Sequence, residues 1–272
     1  MDAMERRAIK RALISVFDKS GLTEIGAQLY SAGVEIVATG STAQVLAEAG
    51  ISVTEVSAYT GFPEIMGGRV KTLHPRIHGG VLADQSNSNH RAEIEALNIA
   101  PFDLVIVNLY PFAQTVAAGS SFDECVEQID IGGPTLLRAA AKNHASVAVI
   151  SDVAQYGALI SALSHGGFTL EERRGLALQA FRNTAEYDLQ IATWLGSHHE
   201  EGDALFPEWV GRIWKKRDEL RYGENPHQAA ALYTDGNAGV VSAEQLHGKE
   251  MSFNNYADAE AAWRSVVDHA QP

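Results

Sequence analysis

The chain has 272 residues, 46% of them hydrophobic, and a formal charge of −13 at neutral pH. That length suits one large domain or two smaller ones, and the acidic balance excludes nucleic acid as the main partner, because a phosphate backbone needs a basic footprint. No apolar run reaches the roughly 18 residues of a membrane span, the N-terminus lacks the apolar core of a secretory signal, and one cysteine, Cys125, fits a reducing cytoplasm rather than a disulfide framework.

Residues 11–17, RALISVF, form a short apolar run ended by Asp-Lys-Ser-Gly and read as a buried strand. Residues 21–33 carry Leu22, Ile25 and Leu29 at helical spacing, and Gly33 sits where a helix stops. VEIVATG is then a second strand, STAQVLAEAG a second helix ended by Gly50, and ISVTEV a third short strand. This alternation marks a parallel sheet with helices on its faces.

The next stretch, GGRVKTLHPRIHGG (67–80), reads as irregular. It places Arg69, Lys71 and Arg76 between glycine pairs in an otherwise acidic chain, where glycines let a backbone approach a ligand closely. A helix-like segment follows near 91–97. FDLVIVNLYPF (102–112) is the strongest strand, SFDECVEQI is helical, and GGPTLLRAAAKNH opens a helix with Pro134 as its first residue. SVAVI (146–150) is a buried strand, and 169–194 is helical. After Trp194 the composition turns polar, as in a linker. RYGENPHQAAALY then begins something new, and the roughly 60 residues left are too few for a robust independent domain.

Ligands of open parallel sheets bind beyond the carboxyl ends of the strands. Those ends carry Ser15, Lys19 and Ser20 after the first strand, Thr39, Gly40, Ser41 and Thr42 after the second, and Asn108 and Tyr110 after the strongest. Thr39, Ser41 and Thr42 can simply cap a helix. With Lys19 at the neighbouring strand end, an anion site is the better reading. Neither a Walker-type nor a dinucleotide glycine fingerprint is present. His74 and His78 have the i, i+4 spacing of a zinc pair, but Pro75 and the glycines argue against a helix there and no third ligand is evident, so no metal is expected. Asp130 before Gly132-Gly133 and Lys142 near a helix end have ordinary dipole-complementing readings as well. Cys125, among acidic neighbours, is not a nucleophile.

SVFDKSGL, ATGSTA, TGFPEIMGGRVKTLHPRIHGG, VNLYPF, QIDIGGPTLLRAAAKNH and RYGENPHQ, in that order, resemble the bifunctional purine biosynthesis family, which joins an IMP cyclohydrolase domain to an AICAR transformylase domain. The likeness runs from about residue 10 to the end. It implies an α/β fold: a methylglyoxal synthase-like parallel sheet sandwiched by helices over 1–197, a linker over 198–215, and over 216–272 the truncated start of an α/β transformylase domain, since no Lys-His catalytic motif of that half occurs. Phe17 departs from the Ser or Tyr common there.

The implied reaction is dehydrating ring closure of 5-formamidoimidazole-4-carboxamide ribonucleotide (FAICAR) to IMP, without cofactor or metal. 10-Formyltetrahydrofolate would be co-substrate only of the transformylase half. By resemblance, Lys71, Tyr110, Asp130 and Lys142 are catalytic. Ser15, Lys19, Thr39, Gly40, Ser41, Thr42, Arg69, Thr72, Val107, Asn108, Ile131, Gly132 and Gly133 contact the nucleotide, and Arg221 with Tyr222 belongs to the transformylase site. The resemblance further implies a cytoplasmic homodimer whose partners are purine nucleotides, with no membrane. An allosteric module or methylglyoxal synthase itself are the alternatives, and neither needs that catalytic set.

Overall fold

The computed structural model describes residues 5–199, 206 and 208–269. Part of the expected linker, at 200–205 and 207, and residues 270–272 lie outside the described residues. The chain divides into two compact units, Met1–Ser197 and His198–Pro272.

The first unit is built on a five-stranded, all-parallel sheet in the order β3-β2-β1-β4-β5. Its strands are β1 (Arg11–Val16), β2 (Glu35–Ala38), β3 (Thr54–Glu55), β4 (Leu104–Asn108) and β5 (Ala148–Ile150). Central β1 pairs Ile14 with Ala38 on one side and with Ile106 on the other. Helices cover both faces, so the inner strands are apolar throughout rather than alternating: Leu13, Ile14, Leu104, Val105 and Ile150 are all fully buried.

Helix α1 (Leu22–Ser31) and α2 (Gly40–Glu48) connect β1 to β2 and β2 to β3. After β3 come α3 (Val56–Thr60), α4 (Pro75–Leu82) and α5 (Ser88–Ala96). β4 is followed by α6 (Phe112–Ala117), α7 (Phe122–Glu127) and α8 (Gly132–Lys142), and β5 by α9 (Tyr156–Ser164) and α10 (Leu170–His199). The chain steps from β1 to β3 in one direction and from β4 to β5 in the other. Right-handed crossovers then place the connecting helices on opposite faces. α1 packs on α2 and α9, while α8 packs on α4, β4 and β5. Arg173 of α10, only 2% exposed, locks this end of the fold by donating to the carbonyls of His144, Ala145 and Phe168 at 2.8, 3.2 and 2.6 Å.

Several elements differ from the sequence reading. The third strand shrinks to Thr54–Glu55, because Val56 already turns inward to start α3. Residues 75–82, read as irregular, are helical. Pro75 is the first helical residue, where its missing N–H costs nothing, and His74 Nδ1 caps the helix by accepting from the Arg76 N–H at 3.1 Å. Gly80 is the reason a glycine pair survives there: a Cβ at that position would lie 2.7 Å from the Ala100 carbonyl oxygen. Pro134 is the third rather than the first residue of α8. The strand expected to run to 112 ends at Asn108, and α9 has no counterpart in the sequence reading.

In the second unit β6 (Lys215–Leu220) and β7 (Ala230–Thr234) form an antiparallel hairpin with an irregularity between Lys216 and Asp218. α11 (Phe253–Val267) starts with a Ser252–Asn255 capping box. Its entry is stitched to the hairpin by Arg221 N–H to Met251 C=O and Phe253 N–H to Tyr222 C=O. No described helix is long and apolar enough to cross a membrane.

Candidate active site

The order in which strands are added reverses between the parallel neighbours β1 and β4, so the loops beyond their carboxyl ends diverge and leave a crevice. Asn108, the last residue of β4, holds the two loops at their root. Its Oδ1 accepts from the N–H groups of Phe17 and Asp18 at 2.6 and 2.9 Å, and its Nδ2 donates to the Asp18 carbonyl at 2.9 Å. A cleft of about 450 Å³ opens there, lined among others by Ser15, Lys19, Thr39, Ser41, Arg69, Lys71, Thr72, Tyr110, Asp130 and the backbone of Ile131–Gly133.

One wall is the N-terminus of α2. Thr39 is the residue before the helix and makes no side-chain cap; its Oγ1 donates to Ser15 Oγ at 3.1 Å instead. The first N–H groups of α2 have no intrahelical acceptor and carry the positive end of the helix dipole. Thr42, expected as a ligand contact, is 1% exposed, and its hydroxyl bonds both the N–H and the carbonyl of Val16. It holds the wall rather than facing the cleft. Val107 is likewise a core side chain, 1% exposed.

Cations gather on the same side. The Lys19 ammonium rests on the carbonyls of Val16 and Phe17. Burial, and then the charge of Lys71, hold its pKa below the usual lysine value. An ammonium so placed is short of counter-charge, which an anionic ligand would supply. Lys71 pairs with Glu64 at 2.9 Å, and Arg69 pairs with Glu127 of α7. Gly40 makes room for this: a Cβ there would lie 2.9 Å from Lys71 Nζ. The loop bearing these residues closes through a tight turn in which Met66 and Gly67 are both left-handed (φ 56° and 64°) and the Gly68 N–H donates to Ile65 at 3.1 Å, the geometry of a type I′ turn.

The opposite wall is the start of α8. Asp130 Oδ1 accepts from the Gly133 N–H at 2.8 Å. Burial raises the Asp130 pKa, against the opposing pull of the Gly133, Gly132 and Tyr110 amides. Tyr110 is pushed up too, by burial and then by Asp130 and Glu64; its ring lies 5.3 Å from that of Phe17. A Cβ on Gly132 would sit 2.9 Å from Thr72 Oγ1, and one on Gly133 2.8 Å from Leu109 Cδ2. This wall therefore offers a carboxyl group that burial makes harder to ionise, fixed by backbone amides at a helix start, a combination suited to acid–base work on a bound molecule.

The structure does not bring Lys142 into the cleft. It is the exposed last residue of α8, whose first residues line the cleft. Ten steps of helix at roughly 1.5 Å each separate it from Gly132 by about 15 Å. There it complements the helix's negative end. Arg221 and Tyr222 lie in the second unit, the guanidinium 4.9 Å above the ring and donating to its hydroxyl at 3.3 Å. Glu64, Glu127 and Tyr187 were not singled out from sequence. Glu64 sits inside a quoted motif, and its charge opposite Lys71 was the available signal; Tyr187 reaches the site from 57 residues away, bonded to the Asp130 N–H. No cluster suited to a metal occurs among the described residues, and His74 and His78 are respectively the cap and an interior residue of α4.

An MGS-like domain model matches residues 21–135, and the AICARFT/IMPCHase bienzyme model matches residues 140–272. The chain is 58% identical over 270 residues to the bifunctional purine biosynthesis protein PurH of Mycobacterium marinum and, to the same extent, to that of Mycobacterium ulcerans, covering 98% of this chain. It spans about half the length of these curated relatives, 52%. The crystal structure of ForH superposes with a TM-score of 0.61 at 33% identity, over 70% of this chain and 98% of that one. The chain thus belongs to the bifunctional purine biosynthesis protein family.

Proposed function

We propose that the cleft of the first unit closes FAICAR to IMP. The carboxamide nitrogen attacks the formyl carbon and gives up one proton, a C–N bond forms, the formamido nitrogen gives up its own proton as the ring double bond forms, and the former formyl oxygen leaves as water with those two protons. Both reacting groups sit on one molecule, so the protein's task is to hold near-attack geometry and to manage charge and protons. The α2 N-terminus with Ser15, Thr39, Ser41 and Lys19 suits the 5′-phosphate. Arg69 and Ile131 stand at the rim beside the base. Lys71 and Thr72 suit the negative charge that builds on the formyl oxygen, while the amides of Gly132 and Gly133 hold the Asp130 carboxyl group. Asp130, with Tyr110 beside it, suits the proton transfers. The observation that carries this reading is the placement, around one cleft, of an uncapped helix start with Lys19 beside it and of the half-buried Asp130 carboxyl group, whose pKa burial raises.

Methylglyoxal formation is the second reading, favoured by the match of residues 21–135 to the MGS-like model. Purified chain assayed side by side for IMP from FAICAR and for methylglyoxal from dihydroxyacetone phosphate separates the two: IMP formation is expected, and methylglyoxal alone would overturn the proposal. Transformylase activity with 10-formyltetrahydrofolate, using Arg221 and Tyr222, is proposed only for a protein carrying the whole second half. A homodimer belongs to the same reading and is tested by sedimentation.

Lys19→Ala is expected to weaken IMP binding about 10-fold or more, as befits a lost charge-assisted contact, while changing turnover of bound substrate less. An unchanged dissociation constant would remove Lys19 from the phosphate site. Lys142→Ala, about 15 Å along the helix, is expected to lower FAICAR turnover by less than about 3-fold, the scale of a surface charge effect. A loss as deep as that of Asp130→Asn would show that Lys142 reaches a reacting group after all.

A further inference from the structure

Ile131 precedes α8 without a side-chain cap, and the Asp130 carboxyl group itself accepts from the Gly133 N–H; the backbone that carries Asp130 needs a hold of its own. Its support comes from α10. The Tyr187 hydroxyl accepts from the Asp130 N–H at 2.7 Å and donates to the Gln128 carbonyl at 2.9 Å, so one oxygen fixes both ends of the Gln128–Asp130 turn. The ring beneath that oxygen is 5% exposed and stands edge-on to Phe112, centroids 6.2 Å apart. Phe112 stands edge-on in turn to Trp194 at 5.3 Å, in a small apolar cluster with Cys125 that is separate from the main core. The hydroxyl is therefore held in place by its own ring packing, not by the turn it serves.

We propose that Tyr187 is a positioning residue for Asp130: its hydroxyl clamps the Gln128–Asp130 turn so that the carboxyl group stays aligned with the reacting atoms at the α8 N-terminus. This rests on the cyclohydrolase reading above. Burial pushes the Tyr187 pKa up to about 12, so the hydroxyl keeps its proton, and both bonds, across the working range. A loosened turn shifts the carboxyl by a fraction of an ångström to an ångström, a displacement that costs up to about 100-fold in a positioned reaction.

The test is Tyr187→Phe, which keeps the ring and deletes only the oxygen, made alone and together with Asp130→Asn. Phe112→Leu serves as a comparison that loosens the packing of the ring but leaves the hydroxyl and both its acceptor and donor in place. Expected results are a fall in kcat of about 10- to 100-fold with KM within about 3-fold, a fall of less than 2-fold when the same change is made in the Asp130→Asn background, and a Phe112→Leu variant that loses thermal stability with a clearly smaller fall in kcat than Tyr187→Phe. Amide exchange at Asp130 should speed up in Tyr187→Phe. An unchanged kcat, an equal fall in both backgrounds, or an equal fall in Phe112→Leu would each overturn the clamp. Should wild-type chain make no IMP, the cyclohydrolase reading fails by itself, and amide exchange still decides the clamp: unaltered protection at Asp130 in Tyr187→Phe rejects it.

Discussion

Asp130→Asn is expected to lower FAICAR turnover by about 100- to 1,000-fold, the usual worth of a positioned acid–base group, while leaving the protein at least as stable as before at neutral pH. The two halves of this expectation have one cause. Burial raises the Asp130 carboxyl above its ordinary value of 3.8. The folded state therefore holds a proton that the unfolded state has already released, and stability falls as pH rises through the window that begins at that value. An uncharged asparagine escapes the penalty and can still accept from the Gly133 N–H. Thermal melts across pH should show the variant's advantage at neutral pH shrinking as pH falls towards 3.8. A variant less stable at neutral pH, with its deficit vanishing in acid, would mean the carboxylate is held charged, and the proposed proton-holding role would be wrong.

Arg173→Met is expected to be the most damaging single change to the fold. The guanidinium is 2% exposed and satisfies three carbonyls, those of His144, Ala145 and Phe168. Methionine fills much of the stem's volume but leaves the His144 and Ala145 oxygens without a donor, at about 1–3 kcal/mol for each buried unpaired group, while the Phe168 carbonyl loses one of its two donors and keeps the Arg7 N–H at 2.9 Å. Because the stranded groups can shift towards water, a net loss of about 3–5 kcal/mol is expected, in line with breaking other buried polar sites. For a unit of this size that is a fall in melting temperature of roughly 10 °C. Calorimetry checks it; a fall below about 3 °C, or about 1 kcal/mol, would show that the turn after α8 does not depend on this side chain. Activity at low temperature should survive, because Arg173 lies outside the cleft.

The strands and most long helices were legible because apolar runs stopped by glycine leave few alternatives: β1, β2, β4 and β5 all fall inside the apolar runs marked for them. α4 was not legible. Its glycines oppose helix by propensity, and only the close approach of Ala100 explains Gly80. The rule that ligands meet parallel sheets at strand tips pointed to Ser15, Lys19, Thr39 and Tyr110, and these four line one cleft. It could not tell which tip residues face inward: Thr42 spends its hydroxyl on Val16 and is absent from the cleft lining, and Asn108 lines the cleft but spends its amide on the Phe17–Asp18 loop. Counter-ions and supports were out of reach for the same reason. Glu127 beside Arg69 and Tyr187 beneath Asp130 exist only once distant segments meet, whereas Glu64 lies in the same loop as Lys71 and needed only the fold of that loop. Lys142 shows the converse, since nearness along a motif becomes length along α8, whose last residue it is.

The central claim is that the strand-tip cleft fits a purine mononucleotide. Titrating isotopically labelled chain with IMP and following its amide signals tests this most directly. The account predicts saturable shifts centred on residues 15–19, 39–42, 69–72 and 130–133. No saturation, or shifts centred on other parts of the first unit, would contradict it.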